Sequence, residues 1–221
     1  MWGEQVISVL VVDDHDLVRA GISGMLSERR GLEVIGEAGS GEEAIERATE
    51  LEPDVMLMDV KMPGIGGLEA TRRIARRHPH IRVLAVTVCE DEPFPSRLLQ
   101  AGASGYLTKG ADVDEMVRAI RTVYSGQRYL SSSVARAMAL RPYKGEGQAA
   151  PFDVLSEREL QIMMMIVHCH NVQDISDRLC LSPKTVNTYR YRIFEKLGVA
   201  GDVEMTLMAV RHGMLDAEMA S

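Results

Sequence analysis

The chain reads as an α/β domain joined to a smaller all-helical domain, and three observations predict this. Short apolar runs alternate with helix-patterned segments through roughly the first 125 residues. From Leu155 onward the apolar spacing is helical throughout. Between the two, Arg141 to Pro151 holds two Gly and two Pro and has no apolar period, as a linker does.

The strand-like runs are Ile7–Val12, Leu32–Ala38, Val55–Met58, Arg82–Val86 and Gly105–Leu107. Their near-continuous apolar character suits a parallel sheet buried on both faces. A helix-like segment follows each: Leu17–Leu26, Glu42–Leu51, Leu68–Arg77, Pro95–Ala101 and Val113–Ser125. Ser40 and Asp112, each with Glu three residues on, supply N-terminal caps. Five such units predict a doubly wound five-stranded parallel sheet of order 2-1-3-4-5 over residues 1–126, closed by Gly126. A short helix at Ser132–Leu140 and the linker fill 127–153.

Residues 154–221 form the helical domain. Ser156 and Glu159 make a capping box for a helix to about His168, and a shorter helix follows near Val172–Cys180. Ser182 caps a third, Pro183 takes its first position, and Gly198 ends it after Leu197. A fourth runs from Asp202 to Gly213. Its Val203, Leu207, Val210 and Met214 share one face, expected to be core. Met205, Met208 and Ala209 lie nearly opposite and are expected to join two copies.

Composition narrows the function. Hydrophobic residues make up 46% of 221, which suits soluble domains with real cores. The longest apolar stretches are about seven residues, too short for a membrane span. Glu4 and the lack of a basic flank do not read as a signal peptide. Cys89, Cys169 and Cys180 form no framework and read as reduced structural thiols of a cytoplasmic protein. The net charge of −7 argues against nucleic acid, but Pro183 to Leu197 carries Lys184, Arg190, Arg192 and Lys196 against Glu195 alone. Local charge decides what a surface attracts at short range.

Chemistry gathers at the strand ends. The first run ends in Asp13-Asp14, the third in Asp59, and the fourth and fifth lead to Thr87 and Lys109. Open α/β sheets place their sites on this rim. Three acids, a hydroxyl and an amine there make a divalent-metal and phosphoryl site. Each residue alone has an ordinary reading as a turn, cap or solvated charge; their joint order does not. His15 reads as a loop residue, His168-Cys169-His170 as a helix end, and Met163-Met164-Met165 as core filling.

This order, with the turn Asp59-Val60-Lys61-Met62-Pro63-Gly64, resembles the receiver domain of two-component response regulators. The resemblance implies that Asp59 accepts a phosphoryl group from a sensor histidine kinase. It implies that Asp14, Asp59 and the backbone carbonyl of Lys61 bind Mg²⁺, with Asp13 acting partly through water. Lys109 and Thr87 would hold phosphoryl oxygens, and Tyr106 would turn inward when the Thr87 hydroxyl moves.

In the second domain, two helices with a short turn between them, the second one basic, make a helix-turn-helix. Val186, Ile193 and Leu197 fall on one face of the recognition helix, and Lys184, Asn187, Thr188, Tyr191, Arg192 and Glu195 on the other. The domain resembles the LuxR-type helix-turn-helix of the NarL/FixJ family. Where that pattern has Thr-Val-Lys-x-His-Arg, this chain has Thr185-Val186-Asn187-Thr188-Tyr189-Arg190. Leu181 to Asn187, Tyr189 to Phe194, Val88 to Pro95 and Arg211 to Met214 resemble the GacA/UvrY/SirA subgroup.

The resemblance implies a phosphorylation-dependent transcription regulator rather than an enzyme. It would dimerise on phosphorylation or on DNA, bind an imperfect palindrome in promoter DNA, and meet RNA polymerase. Its targets would be small regulatory RNA genes whose products sequester a CsrA/RsmA-type repressor. Base contacts are expected from Asn187, Thr188 and Tyr191, with Lys184, Thr185, Arg190 and Arg192 completing the DNA face. Two rivals are weighed. A haloacid-dehalogenase phosphatase would need an acid two residues after Asp59, where Lys61 stands. A ligand-sensing LuxR-type factor would need an apolar cavity rather than an acidic rim.

Overall fold

β1 (Ile7–Val12) lies between β2 (Leu32–Ala38) and β3 (Val55–Met58), pairing with both in parallel. Beyond β3 come β4 (Arg82–Thr87), β5 (Gly105–Thr108) and a two-residue β6 (Tyr129–Leu130), giving the order β2-β1-β3-β4-β5-β6. This computed structural model describes residues 6–62, 64–87, 94–140, 151–212 and 214. Glu4, Pro63, the Val88–Pro93 segment with Cys89, the linker at 141–150, and Gly213 lie outside the described residues. Winding reverses at β1, which opens a crevice beyond the carboxyl ends of β1 and β3.

The five expected strands are present, each within one residue of its expected bounds, and the sixth is an addition. β5 would otherwise present an unpaired edge, which invites pairing with another chain. Tyr129 N–H donates to the Ser104 carbonyl at 3.3 Å and Ser131 N–H to the Tyr106 carbonyl at 3.0 Å. The first compact unit therefore continues past Gly126, through α6 (Ser132–Leu140), whose Val134 is fully buried. Two residues carry no periodicity, so the strand left no trace in the pattern.

The helices are α1 (Asp16–Ser27), α2 (Gly41–Leu51), α3 (Gly66–Arg77), α4 (Phe94–Ala101) and α5 (Val113–Tyr124). Val9, Val11, Val55, Leu57, Leu84, Val86 and Leu107 pack with Ile22 and Leu26 of α1 and with Met116, Ile120 and Val123 of α5. Strand alternation sends Leu10, Met56, Met58, Ala85 and Tyr106 to the opposite face, where α2, α3 and α4 are neighbours. The expected caps form: Ser40 accepts from Glu43 N–H at 3.2 Å and Asp112 from Glu115 N–H at 2.7 Å.

The helical part of the second unit opens, among the described residues, with a 3₁₀ turn at Pro151–Val154, of which the sequence placed 151–153 in linker. Phe152 explains the difference. It is buried, with its ring edge-to-face on His212 at 5.7 Å between centroids. α7 (Glu157–Val167), α8 (Val172–Leu179), α9 (Pro183–Leu197) and α10 (Asp202–Arg211) follow. Their core includes Leu160, Met163, Met165, Ile175, Val186 and Ile193. His168 ends α7, as expected, with its Nδ1 2.7 Å from the Met164 carbonyl. Cys169 and Cys180, read as reduced structural thiols, are both free and exposed, with left-handed backbone (φ 61° and 52°).

α10 is turned opposite to the sequence expectation. Met205 and Ala209 are fully buried, whereas Val203 is 77% and Leu207 52% exposed. Only Met214, beyond the helix end, is buried as expected. A helix apolar on two sides does not reveal from its own spacing which side packs inward. The exposed apolar face is therefore that of Val203 and Leu207.

Gly67, in the first turn of α3, donates its N–H to the Val60 carbonyl at 3.1 Å. A Cβ there would lie 1.9 Å from the Asp59 carbonyl oxygen, against backbone that cannot swing away. Gly67→Ala should therefore destabilise the first unit by roughly 1–3 kcal/mol or more, as overpacking does. Gly24→Ala, with nothing within 4 Å of its Cβ position in α1, should stabilise by up to about 1 kcal/mol. Urea unfolding of both variants checks this; equal stabilities would contradict the close approach at Gly67.

Candidate functional site

Three strands deliver the rim residues to one place. Asp13 follows β1, and its N–H donates to the Ala38 carbonyl at 3.1 Å. Asp59 follows β3, and its N–H donates to the Val12 carbonyl at 2.9 Å. Lys109 follows β5, and its N–H donates to the Thr87 carbonyl at 3.0 Å. Ladder hydrogen bonds thus continue one residue past each strand and fix where the side chains start.

Asp13 and Asp59 are 1% and 3% exposed, so their charges need partners. Lys109 Nζ supplies one, 2.6 Å from Asp13 Oδ2 and 2.8 Å from Asp59 Oδ2. The other Asp59 oxygen accepts from Val60 N–H at 2.6 Å and Lys61 N–H at 3.3 Å. Burial pushes the Asp59 carboxyl up to about 6, against the pull of Lys109. Burial draws the Lys109 ammonium down, but Asp59 and Asp13 together outweigh it and leave it raised.

Asp14 Oδ1 is buried and, among the described residues, accepts no hydrogen bond; His15 Nδ1 is 3.0 Å away outside hydrogen-bond geometry. Asp13, Asp14, His15 and Asp59 bring one ligand atom each within 4.8 Å of one another. An orphaned carboxylate oxygen in such a group is what a hard cation satisfies. His15, which stands beside the acid pair in sequence and was read as a loop residue, brings its ring to that pair, with Nδ1 3.0 Å from Asp14 Oδ1. Arg19 was missed: its Nη1 donates to the Asp13 carbonyl at 2.8 Å and so steadies that turn from α1.

Thr87 and Tyr106 are both fully buried, and Tyr106 is paired with Ala85 across β4 and β5.

In the second unit, α8 and α9 form the helix-turn-helix, with Cys180 to Ser182 as the turn. Ser182 Oγ accepts from Thr185 N–H at 3.1 Å, and Gly198 ends the helix at φ 67°. Lys184, Thr188, Tyr191 and Arg192 are exposed, and Asn187 is half-buried. The expected face is therefore presented, with two exceptions. Thr185 is occupied in the cap, its Oγ1 2.7 Å from Ser182 Oγ. Arg190 is not an open cation: its Nε donates to Asp202 Oδ1 at 2.8 Å, its Nη2 also pairs with Asp202, and its guanidinium lies over Phe194. Lys196 likewise reaches buried Glu159 Oε2 at 2.7 Å. Neither partner is close in sequence, so the charge count of α9 overstated the charge left unpaired.

No helix among the described residues is long and apolar enough to cross a membrane. The response regulator receiver domain model matches residues 9–121, and the bacterial luxR-family regulatory protein model matches 153–209. The chain is 66% identical to the response regulator GacA of Pseudomonas viridiflava over 96% of this chain and 99% of that one. It is 54% identical to the response regulator UvrY of Escherichia coli K12 over 98% and 99%. A solved LuxR-family regulator from Aurantimonas is 36% identical, with TM-score 0.61, covering 63% of this chain and all of that one. The RcsB regulator of Salmonella typhimurium shares the fold at TM-score 0.75 over 94% and 98%, with 22% identity. These relatives are regulators, so the phosphatase and ligand-sensor readings fall away. A receiver rim with paired acids and lysine, joined to a helix-turn-helix, places this chain in the family of two-component response regulators, as a phosphorylation-dependent, DNA-binding transcription regulator.

Proposed function

We propose that Asp59 is the phosphoacceptor, and one observation carries this: its buried carboxylate sits at the rim with Lys109 on one oxygen and two backbone N–H groups on the other. A sensor histidine kinase is the donor. An Asp59 oxygen forms a bond to phosphorus while the phosphorus–nitrogen bond to the kinase imidazole breaks. Lys109 and the Thr87 hydroxyl then hold the phosphoryl oxygens. Leu17, 90% exposed at the start of α1 and four residues past Asp13, offers the kinase an apolar footing beside the rim.

Mg²⁺ is the cofactor, held by Asp13, Asp14, Asp59 and the Lys61 carbonyl. The three carboxylates of the rim cluster and the orphaned Asp14 Oδ1 fit a hard ion. When bound, it offsets the repulsion between the carboxylate and the incoming phosphoryl group. Tyr106 and Thr87 form the switch, which shifts the β4–β5 side of the receiver between two packings.

The second unit reads DNA through Asn187, Thr188 and Tyr191, with Lys184 and Arg192 on phosphates. Arg190 acts by fixing α9 against Asp202 rather than by touching a phosphate. Two copies join through Val203 and Leu207 of α10 and bind an imperfect palindrome. RcsB, a neighbour in fold, is described as dimers bound to DNA, which supports this. Promoters of small regulatory RNA genes, contact with RNA polymerase and a cytoplasmic location complete the proposal.

With Mg²⁺ and acetyl phosphate, intact-mass analysis should show one labile phosphate, absent in Asp59→Asn. The carboxyl near 6 adds a pH dependence. Its folded pKa is raised, so a proton competes with the ion below that value. Mg²⁺ affinity measured by fluorescence or calorimetry should fall about tenfold from pH 7 to pH 5, in proportion to the ionised Asp59. A pH-independent affinity, or a phosphate that persists in Asp59→Asn, would sink the assignment.

Asn187→Ala should cost about 1–3 kcal/mol on cognate DNA and relax one base position. Arg192→Ala should weaken cognate and scrambled duplexes alike and lower the salt slope by about one unit per lost phosphate contact per monomer. Arg190→Ala should instead lower thermal stability and leave that slope unchanged. Salt titrations on both duplexes separate the three; equal losses for Asn187→Ala on the two duplexes would remove it as a base reader.

Val203→Lys with Leu207→Glu should abolish dimeric DNA complexes while the domain stays folded. Met205→Lys should unfold it, because that side chain is core. Gel shifts and circular dichroism decide; intact dimers in the double variant would place the interface elsewhere.

A further inference from the structure

Two helix ends converge on the side of the receiver away from Asp59. Glu52 caps the end of α2, just before β3, and His78 follows the end of α3, just before β4. This is the amino-terminal rim of the sheet, at the other end of β3 from the phosphoacceptor. Glu52, His78 and His80 bring one ligand atom each within 4.8 Å of one another. The function assigned above uses none of the three.

Several features favour a cation there. The last carbonyls of α2 and α3 both face this corner, and helix carboxyl ends attract positive charge. Arg76 and Arg77 in the last turn of α3 oppose it, but both are exposed and screened by solvent. The histidines are held in place. His78 N–H donates to the Ile74 carbonyl at 2.7 Å, and its carbonyl accepts from Ile81 N–H at 3.0 Å. Pro79 restricts the backbone between the two rings. Thr49 Oγ1, which donates to the Ile45 carbonyl at 3.0 Å, lies 3.2 Å from His78 Nε2, so α2 itself orients the ring. Glu52 takes the left-handed conformation at φ 43°, where Gly or Asn is usual.

Donor chemistry names the class of ion. Two imidazoles and one carboxylate suit zinc and its borderline neighbours, not Mg²⁺ or Ca²⁺. Glu52 and His80 are exposed, so the ion can enter and keep solvent in its open positions. We propose that Glu52, His78 and His80 form a second metal site, for a borderline divalent ion of the zinc class, clipping the end of α2 to the α3–β4 turn.

The full-length protein is titrated with Zn²⁺ in saturating Mg²⁺, which fills the acidic rim, and followed by calorimetry and thermal unfolding. Wild type should bind one Zn²⁺ that His78→Ala with His80→Ala abolishes and Glu52→Gln weakens on the order of tenfold. Its Tm should rise with Zn²⁺ concentration, and that of the double variant should not. Without zinc both should unfold alike, showing the variant to be folded. Co²⁺ should give ligand-field bands without thiolate charge-transfer absorption. Zn²⁺ binding unchanged in the double variant, lost instead in Asp14→Asn, or carrying thiolate absorption from Cys169 or Cys180 would each overturn the site.

Discussion

The receiver rests on one ammonium between two buried carboxylates. Asp13 and Asp59 are nearly inaccessible, and either charge left alone there would cost several kcal/mol. Lys109 bridges them, and so joins the ends of β1, β3 and β5 into one electrostatic unit. The strand order makes this geometry available: β1 and β3 are adjacent, and β4 stands between β3 and β5, so a long lysine must reach across. Burial still dominates at Asp59, whose carboxyl remains near 6 despite the lysine. A carboxylate held this close to neutrality responds strongly to any further charge placed beside it.

The helix-turn-helix unit repeats the theme with different partners. Glu159 is 3% exposed, receives Lys196 from the far end of α9, and caps α7 through Ser156. Burial alone would raise its carboxyl, but Lys196 and Ser156 hold it below the usual range. Arg190 and Asp202 tie α9 to α10. Two of the four basic residues in α9 thus anchor the helix, Lys196 while staying exposed, and Lys184 and Arg192 face outward.

What was legible in the sequence follows from the range of each signal. Buried parallel strands write themselves as unbroken apolar runs, and caps as Ser or Asp with Glu three residues on, so Ile7–Val12 and the Ser156 box were plain. Rim residues were legible because strand ends are. Tyr129–Leu130 is too short to carry a period, and Phe152 looked like linker because its packing partner is sixty residues away at His212. The two faces of α10 could not be ranked, since Val203 and Met205 are equally apolar and only tertiary packing chooses between them. Arg190 read as a DNA contact because its carboxylate partner lies in the next helix.

The division of labour among the basic residues bears on how the regulator finds its promoters. With Arg190 and Lys196 each held by a carboxylate, α9 offers Lys184 and Arg192 as outward cations, on a chain of net charge −7. Random duplex is held chiefly by cations, so this surface grips it weakly. Less of the binding then comes from the salt-dependent phosphate term, and more from contacts that depend on base identity.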